Sequence, residues 1–288
     1  MKKLTLTAPA KLNLTLDVLG RREDGYHEMR MVMTSISLAD QLTLTLEPGE
    51  GICLSVDCGF LPGDDRNLAV IAARHLQEAT GVDWGKLTIS LRKRIPVCAG
   101  TAGGSSDAAA VLRGLNQLAG LGLSREELAG IGKRIGADVP YCVLGGTALA
   151  EGIGEKLTPL PPLPECWAVL VKPGFSVPTP ELFNRLDGKK IHGRPDTEGM
   201  MEALKNGDLP GVARRLCNVF EEVLPERRRE TVEEVKGRLV ERGALGACMT
   251  GTGSVVYGLY DAEERALAAY EALKKVWPET FISCSKMD

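Results

Sequence analysis

Aromatic residues are scarce in this chain: Phe, Trp and Tyr together make up 5% of its 288 residues. The apolar core must therefore be built mainly from Leu, Val, Ile and Ala. Histidine is scarcer still, with only His27, His75 and His192 present. The eight cysteines, at 53, 58, 98, 142, 166, 217, 248 and 284, form no C-x-x-C pair. That leaves little from which to assemble a zinc cluster. The scattered thiols read instead as small buried side chains of a reducing compartment. Neither sign of charge dominates: 35 Lys and Arg against 38 Asp and Glu give a net charge of -3, far from the basic excess of a general nucleic-acid binder. No apolar run approaches the roughly 18 residues of a membrane helix. The amino-terminal Met1 to Leu6 alternates like a strand and has no long apolar signal region. A cytoplasmic protein with neither nucleic-acid nor membrane partners is expected.

What is present is ordinary for a globular protein, with 44% hydrophobic and 25% charged residues. At roughly 150 residues per domain the length suggests about two domains. Leu12, Leu14, Leu16 and Val18 alternate with Lys11, Asn13, Thr15 and Asp17, which predicts a strand with one apolar and one polar face. Gly20 to Tyr26 reads as a turn, and Met29–Leu38 and Gln41–Leu46 as two further strands. The period changes over Asn67–Ala79, where Leu68, Ile71, Ala72, His75, Leu76 and Ala79 predict a helix with His75 on its core or boundary side. Leu87–Leu91 predicts a strand and Ser106–Ala119 a helix, and Ser124 to Glu127 forms a capping box opening a helix to about Ile135. Gly145–Ala150 is a further strand candidate. The Pro-rich Thr158–Pro164 predicts a domain boundary, dividing the chain into 1–160 and 161–288. Beyond it the pattern predicts strands at Trp167–Val171 and Thr280–Ser285 and a Gly-punctuated hairpin over Met249–Tyr260. Helices are expected near 180–186, 197–205, 209–216, 230–242 and 261–275. Strands and helices mix without a clean βαβ alternation, which favours an α+β fold.

The strongest chemical signal is Pro96-Val97-Cys98-Ala99-Gly100-Thr101-Ala102-Gly103-Gly104-Ser105-Ser106-Asp107, set between a strand and a helix. Glycines let backbone N–H groups approach a ligand, and the following helix presents unpaired N–H groups at the same place. Ser105 and Ser106 add hydroxyls able to meet phosphate or a metal ion. The loop can cradle phosphate, although no Gly-Lys-Ser/Thr ends it as in a Walker A loop. A plain Gly-rich turn with a serine cap is the competing explanation. Asp138, in Gly136-Ala137-Asp138-Val139-Pro140, stands among small and apolar residues and needs a partner if buried. Lys11, read alone, is a solvated strand-edge lysine. A buried Lys–Asp pair facing a phosphate cradle would suit phosphoryl transfer. Gly251-Thr252-Gly253-Ser254 reads equally as a hairpin turn or a second Gly-rich loop. Tyr26-His27 can stack on a flat ligand or simply pack.

Taken together these motifs resemble the GHMP kinases, a superfamily named for its galactose, homoserine, mevalonate and phosphomevalonate members. Pro9-Ala10-Lys11-Leu12-Asn13, the Gly-Gly-Ser-Ser loop at 103–106 and Thr250-Gly251-Thr252-Gly253-Ser254 occur in the family's order. Arg22-Glu23-Asp24-Gly25-Tyr26-His27-Glu28 and Val177-Pro178-Thr179-Pro180 with Phe183 are similar to the member that acts on a cytidine-diphosphate-linked alcohol. The resemblance spans essentially the whole chain. It implies a two-domain α+β fold, with an amino-terminal ATP-loop domain and a carboxy-terminal ferredoxin-like domain. It implies ATP-dependent phosphorylation of the 2-hydroxyl of a cytidine-diphosphate-linked methylerythritol, with ATP and Mg²⁺ as cofactors and the metal ligands unassigned. Another small-alcohol kinase, or a non-catalytic nucleotide sensor, is the rival outcome on the same fold. Carried over by position, Lys11 and Asp138 match the catalytic pair and Pro96 to Ser106 the ATP-phosphate loop. Asn67, Leu68 and Lys93 match the adenosine side. Tyr26, His27, Thr179 and Phe183 match the cytidine pocket, with two aromatic rings able to sandwich a cytosine, and Asn13 matches the alcohol end. The loop departs from the family at Ala99, Thr101, Ala102 and Asp107, which replace Gly, Leu, Gly and Asn. Ala102 raises a strain if its backbone needs a positive φ, and Asp107 adds a negative charge close to the expected phosphate site.

Overall fold

Two unusually long strands open the chain, β1 (Lys2–Arg21) and β2 (His27–Glu47). The computed structural model describes residues 1–59 and 61–286. They gather into two compact units, and β1 and β2 each contribute to both. The first unit holds Met1–Ala10, Ala39–Val97 and Ala102–Gly145; the second holds Lys11–Leu38, Cys98–Thr101 and the chain from Gly146 onward.

The two strands expected at Met29–Leu38 and Gln41–Leu46 are one. Asp40 between them does not break β2, because its carboxylate is buried and accepts from the Arg94 and Ile95 N–H groups at 2.5 and 2.9 Å. In the first unit β2 pairs antiparallel with β4 (Lys86–Arg92), and β4 pairs parallel with β3 (Gly51–Val56), a strand the periodicity did not announce. Helix α1 (Leu68–Thr80) starts at Asn67, whose Oδ1 accepts from the Ala69 N–H, and stops at Gly81 in the left-handed conformation. It buries Ala69, Val70, Ala72, Ala73 and Leu76, while His75 stays at the boundary. Helix α2 (Gly103–Ala119) begins three residues earlier than expected, because Gly103 and Gly104 already follow the helical path. Its buried Ala108–Leu112 run is narrow enough for close packing. At Gly114 a β-carbon would lie 2.5 Å from Leu44 Cδ1 and 2.6 Å from Leu6 Cδ1, so glycine lets these leucines close on the helix. The capping box of α3 (Arg125–Gly132) forms as expected, with Ser124 and Glu127 bonded reciprocally. The helix stops before Ile135, and α4 (Val139–Leu144) follows with Asp138 at its N-cap and Pro140 in its first turn.

In the second unit β2 carries β5 (Thr147–Gly152), which pairs with β6 (Lys156–Pro159). The rest of this unit contains β7 (Trp167–Val171), α5 (Thr179–Leu186), α6 (Thr197–Lys205), α7 (Leu209–Arg214), β8 (Cys217–Asn218), α8 (Phe220–Val223), α9 (Glu226–Glu241), β9 (Gly246–Met249), β10 (Val256–Tyr260), α10 (Glu263–Leu273) and β11 (Thr280–Cys284). Helix α7 ends before residue 216 because Cys217 and Asn218 leave to pair with Thr15 and Leu16 of β1. The second sheet has the order β11-β7-β10-β9, with antiparallel neighbours, and α9 and α10 pack on its strands. Counted by their own sequence order the strands run 4-1-3-2, the ferredoxin-like arrangement, with α5 to α8 inserted after the first of them. The hairpin expected over Met249–Tyr260 is β9–β10, and residues 250–255 form its loop.

Candidate active site

Over residues 11–18 the polar and apolar faces of β1 are buried alike. Lys11 is 4% exposed, Asn13 and Thr15 are 0% and Asp17 is 6%, so the face expected to meet solvent is internal. Each polar group there must find a partner, and the partners organise the second unit. Lys11 Nζ donates to Asn13 Oδ1 at 2.5 Å, two residues along the same strand face. The same Asn13 oxygen accepts from the Gly251 N–H at 3.0 Å and the Thr250 hydroxyl at 3.3 Å, while Asn13 Nδ2 lies 3.5 Å from Met31 Sδ. The Asn13 main chain donates to Thr250 Oγ1 and accepts from the Tyr257 hydroxyl. Asn13, expected at the alcohol end of a substrate, thus has its side chain spent on Lys11 and the 250–251 segment. Asn218 fastens that segment from the other side, donating to the carbonyls of Met249 and Gly251 at 2.8 Å.

The phosphate-loop residues of this unit lie against the same segment. Lys11 N–H donates to the Thr101 carbonyl, Thr250 Oγ1 to the Gly100 carbonyl and Val255 N–H to the Ala99 carbonyl. At Gly100, with φ of 80°, a β-carbon would fall 2.1 Å from the Thr250 carbonyl oxygen. Two loop residues take positive φ without being glycine: Cys98 at 53° and Ala102 at 57°. The strain foreseen at Ala102 is therefore real, and Ala102 is also the N-cap of α2.

In the first unit the adenosine-side residues converge on the start of α2. Leu68 Cδ1 lies 3.3 Å from where a β-carbon on Gly104 would be, and Lys93 Nζ lies 3.4 Å from the corresponding point on Gly103. Asn67 spends its amide on the α1 cap and on the Pro62 carbonyl. Lys93 is held between two carboxylates, Asp40 and, at 2.7 Å, Asp107. All three side chains are at most 6% exposed. Burial would lower the Lys93 ammonium, but the two carboxylates outweigh it and hold it above its ordinary value. Asp107 is raised too, but by the opposite balance: burial lifts its carboxyl to about 7, only partly offset by Lys93, and Asp40 pushes it further up. Asp107 is therefore turned into the protein and paired with Lys93. Pro96 is buried and Val97 half-buried as the chain enters the loop.

The N–H groups of Gly103, Gly104 and Ser105 have no hydrogen-bond acceptor among the described residues, as the first turn of a helix leaves them. The Ser106 hydroxyl is committed to the Pro9 carbonyl at 2.7 Å. The Ser105 hydroxyl is not so committed and lies 3.9 Å from the β-carbon position of Gly136, two residues before Asp138. Asp138 is half-buried at the N-cap of α4, and its carboxylate makes no cap bond and no ion pair among the described residues. It did not need the partner that its apolar neighbours suggested, because it is not fully withdrawn from water.

Of the cytidine-side residues, the structure brings His27 and Phe183 together, with ring centroids 4.6 Å apart and planes at 28°. Phe220 meets Phe183 edge-on at 5.0 Å. Tyr26 is 62% exposed and forms no ring contact among the described residues. Thr179, at the first turn of α5, shares a hydrogen bond with Thr252 at 3.1 Å. Sequence reasoning missed Asp40 and Asn218, and also Asp187, whose Oδ1 stands 2.7 Å from His27 Nε2; all three depend on long-range pairings with no local pattern. No group of three or more His, Cys, Asp or Glu side chains suited to hold a metal occurs among the described residues. No helix among them is long and apolar enough to cross a membrane.

Comparison with known proteins places this geometry in context. Residues 67–146 match the family described as GHMP kinases N terminal domain, and residues 200–279 match GHMP kinases C terminal. The 4-diphosphocytidyl-2-C-methyl-D-erythritol kinase of Alkaliphilus metalliredigens is 45% identical over 282 residues, covering 98% of this chain and 96% of its own. That of Listeria monocytogenes is 47% identical over 280 residues, covering 97% and 94%. A crystal structure of 4-(cytidine 5'-diphospho)-2C-methyl-D-erythritol kinase is similar with a TM-score of 0.83 and 36% identity, covering 98% of both chains. The L. major mevalonate kinase shares the fold alone, with a TM-score of 0.75 at 20% identity over 98% of this chain and 96% of its own.

Proposed function

We propose, for a chain that belongs to the GHMP kinases and within them to the 4-diphosphocytidyl-2-C-methyl-D-erythritol kinase family, that it transfers the γ-phosphoryl group of ATP to the 2-hydroxyl of 4-diphosphocytidyl-2-C-methyl-D-erythritol. This places it in the non-mevalonate route to isoprenoid precursors. The observation that carries the residue assignment is Lys11, a buried ammonium held at a fixed point by Asn13.

Phosphoryl transfer asks a protein mainly for positioning and charge stabilisation. In our reading Asp138 accepts the proton of the attacking hydroxyl as its oxygen bonds to the γ-phosphorus and the bond to the ADP oxygen breaks. Its half-exposed, uncommitted carboxylate supports that role. Lys11 balances the charge that develops on the transferred group. Asn13 orients Lys11, and the free N–H groups of Gly103, Gly104 and Ser105 receive phosphate oxygens. Pro96 to Ser106 together form the phosphate loop, with Asn67, Leu68 and Lys93 shaping its adenosine side. Tyr26, His27, Thr179 and Phe183 receive the cytidine diphosphate group. When bound, Mg²⁺ would neutralise part of the phosphate charge. A cage of carboxylates is not required, because this ion is commonly held by one or two protein oxygens and the phosphates themselves. The uncommitted Ser105 hydroxyl is the protein group that fits. We place the enzyme in the cytoplasm, acting on a small molecule, and retain 1–160 and 161–288 as its amino- and carboxy-terminal domains.

The deciding experiment supplies ATP, Mg²⁺ and a panel of alcohols with and without the cytidine diphosphate group, and follows ADP release. Turnover confined to the cytidine-bearing alcohol is expected. Equal turnover of simple alcohols would assign a different kinase of the superfamily, and none at all would sink the enzymatic reading.

A further inference from the structure

Thr179, Phe183 and Asp187 follow one another at four-residue spacing along α5 and its C-cap, which sets them on one side of the helix. Each is engaged from elsewhere in the same unit. Thr179 is bonded to Thr252, Phe183 lies face-on to His27, and Asp187 Oδ1 stands 2.7 Å from His27 Nε2. The other Asp187 oxygen is 3.6 Å from Arg21 Nη1. The His27 ring is thus held on its face by Phe183 and at its edge by Asp187, and its side chain is only 10% exposed. An ionised carboxylate can only accept a hydrogen bond. In the neutral ring Nε2 therefore carries the proton, and Nδ1 keeps its lone pair. Nδ1 has no hydrogen-bond partner among the described residues.

We infer that Asp187 is a positioning residue for the nucleobase end of the substrate, fixing through His27 the ring orientation and tautomer that the pyrimidine meets. The inference rests on the reading that this chain acts on a cytidine-diphosphate-linked alcohol. Asp187 itself need not touch that ligand. A carboxylate that orients a histidine commonly also selects its tautomer, and a site built to bond one face of a base discriminates against a ring presented the other way round.

Three histidines in the whole chain make the test direct, because His27, His75 and His192 give separable ring-nitrogen signals. Nitrogen-resolved NMR of the free enzyme should show His27 protonated at Nε2, and Asp187→Ala should lose that preference. In parallel, Asp187→Ala should raise the KM for the cytidine diphosphate substrate by about tenfold, equivalent to about 1.4 kcal/mol, and leave the KM for ATP unmoved. Asp187→Asn keeps an oxygen able to accept from Nε2–H, and its substrate KM should fall between the two. If Asp187→Ala does not fold, Asp187→Asn decides by its substrate KM, which should rise above that of the wild type. An unchanged tautomer in folded Asp187→Ala, or an unchanged substrate KM in whichever variant folds, overturns the inference while wild-type turnover keeps the functional reading intact. Absence of wild-type turnover on the cytidine substrate overturns both together.

Discussion

Gly100 and Thr250 lie against each other: the Thr250 hydroxyl, 3.3 Å from both the Gly100 carbonyl and Asn13 Oδ1, shares its one proton between them, and the Thr250 carbonyl oxygen occupies the space a β-carbon at 100 would need, 2.1 Å away. Gly100→Ala should therefore destabilise the fold by roughly 1–3 kcal/mol through overpacking, with the left-handed φ adding about 1–2. Chemical denaturation of both proteins would show it. A variant as stable as the parent would mean that the loop and the 250–251 segment are not held together in solution.

Ala102 tests the opposite sign. Its φ of 57° costs an L-residue about 1–2 kcal/mol, whereas glycine there loses roughly 0.4–1 kcal/mol more chain entropy on folding. The strain term is the larger, so Ala102→Gly should gain about 0.5–1 kcal/mol. Thermal and chemical melts measure this directly, and a loss of stability would show that Ala102 relaxes out of that conformation.

For Asp107 the prediction concerns pH. Its folded-state carboxyl titrates near about 7 against an ordinary 3.8, because burial penalises the charge. Between those values the folded chain holds a proton that the unfolded chain has released. The stability associated with that proton is full below the unfolded value and is lost as pH rises through about 7. Asp107→Asn removes the titration and leaves Lys93 paired with Asp40. The variant should gain on the wild type by an amount that grows from pH 4 to 8, on the order of a few kcal/mol. Denaturation across that range decides it, and a constant difference would refute the assignment.

Asp138→Asn keeps the shape of the N-cap residue and removes the proposed base. A general base contributes about 10²–10⁴ in rate, so kcat should fall by that factor with ATP binding preserved. Near-normal turnover would take Asp138 out of the chemistry.

The two aromatics proposed to receive the cytidine group should behave differently. Tyr26 is exposed, so Tyr26→Ala should leave the melt unchanged and weaken substrate binding by roughly 0.5–1.5 kcal/mol if its ring stacks on the base. Phe183 packs on both His27 and Phe220, so Phe183→Ala should raise the substrate KM and lower the melting temperature together. An unaltered substrate KM in Tyr26→Ala would leave that ring without a role.

Much of this architecture was legible beforehand because it is written in local patterns. The capping box at Ser124 and the switch of period at Asn67 act over a few residues and formed where expected, while the Gly-rich loop formed but gave way to α2 three residues early. The fate of Lys11 was not legible. Alternation marked Lys11, Asn13, Thr15 and Asp17 as a polar face, but the partners that let it be buried come from other elements: Thr250 and Gly251 for Asn13, Val32 for Thr15 and Arg194 for Asp17. Lys93 is similar: its position was marked through the family resemblance, yet its ammonium is clasped by Asp40, a residue that looked like a break between two strands. Pairings of this kind leave no period to read.

The interleaving of the two units has a practical side. A fragment ending at residue 160 would retain β1 and β2 entire, but it would be stripped of Cys217 and Asn218 beside β1 and of the Thr250 and Gly251 groups that hold Asn13. Lys11 and Asn13 would then lie in a half-built wall with donors and acceptors bared. Dissection of this enzyme into separately expressed halves is therefore expected to give insoluble amino-terminal material unless the missing strand and loop are supplied, for instance by co-expressing both pieces.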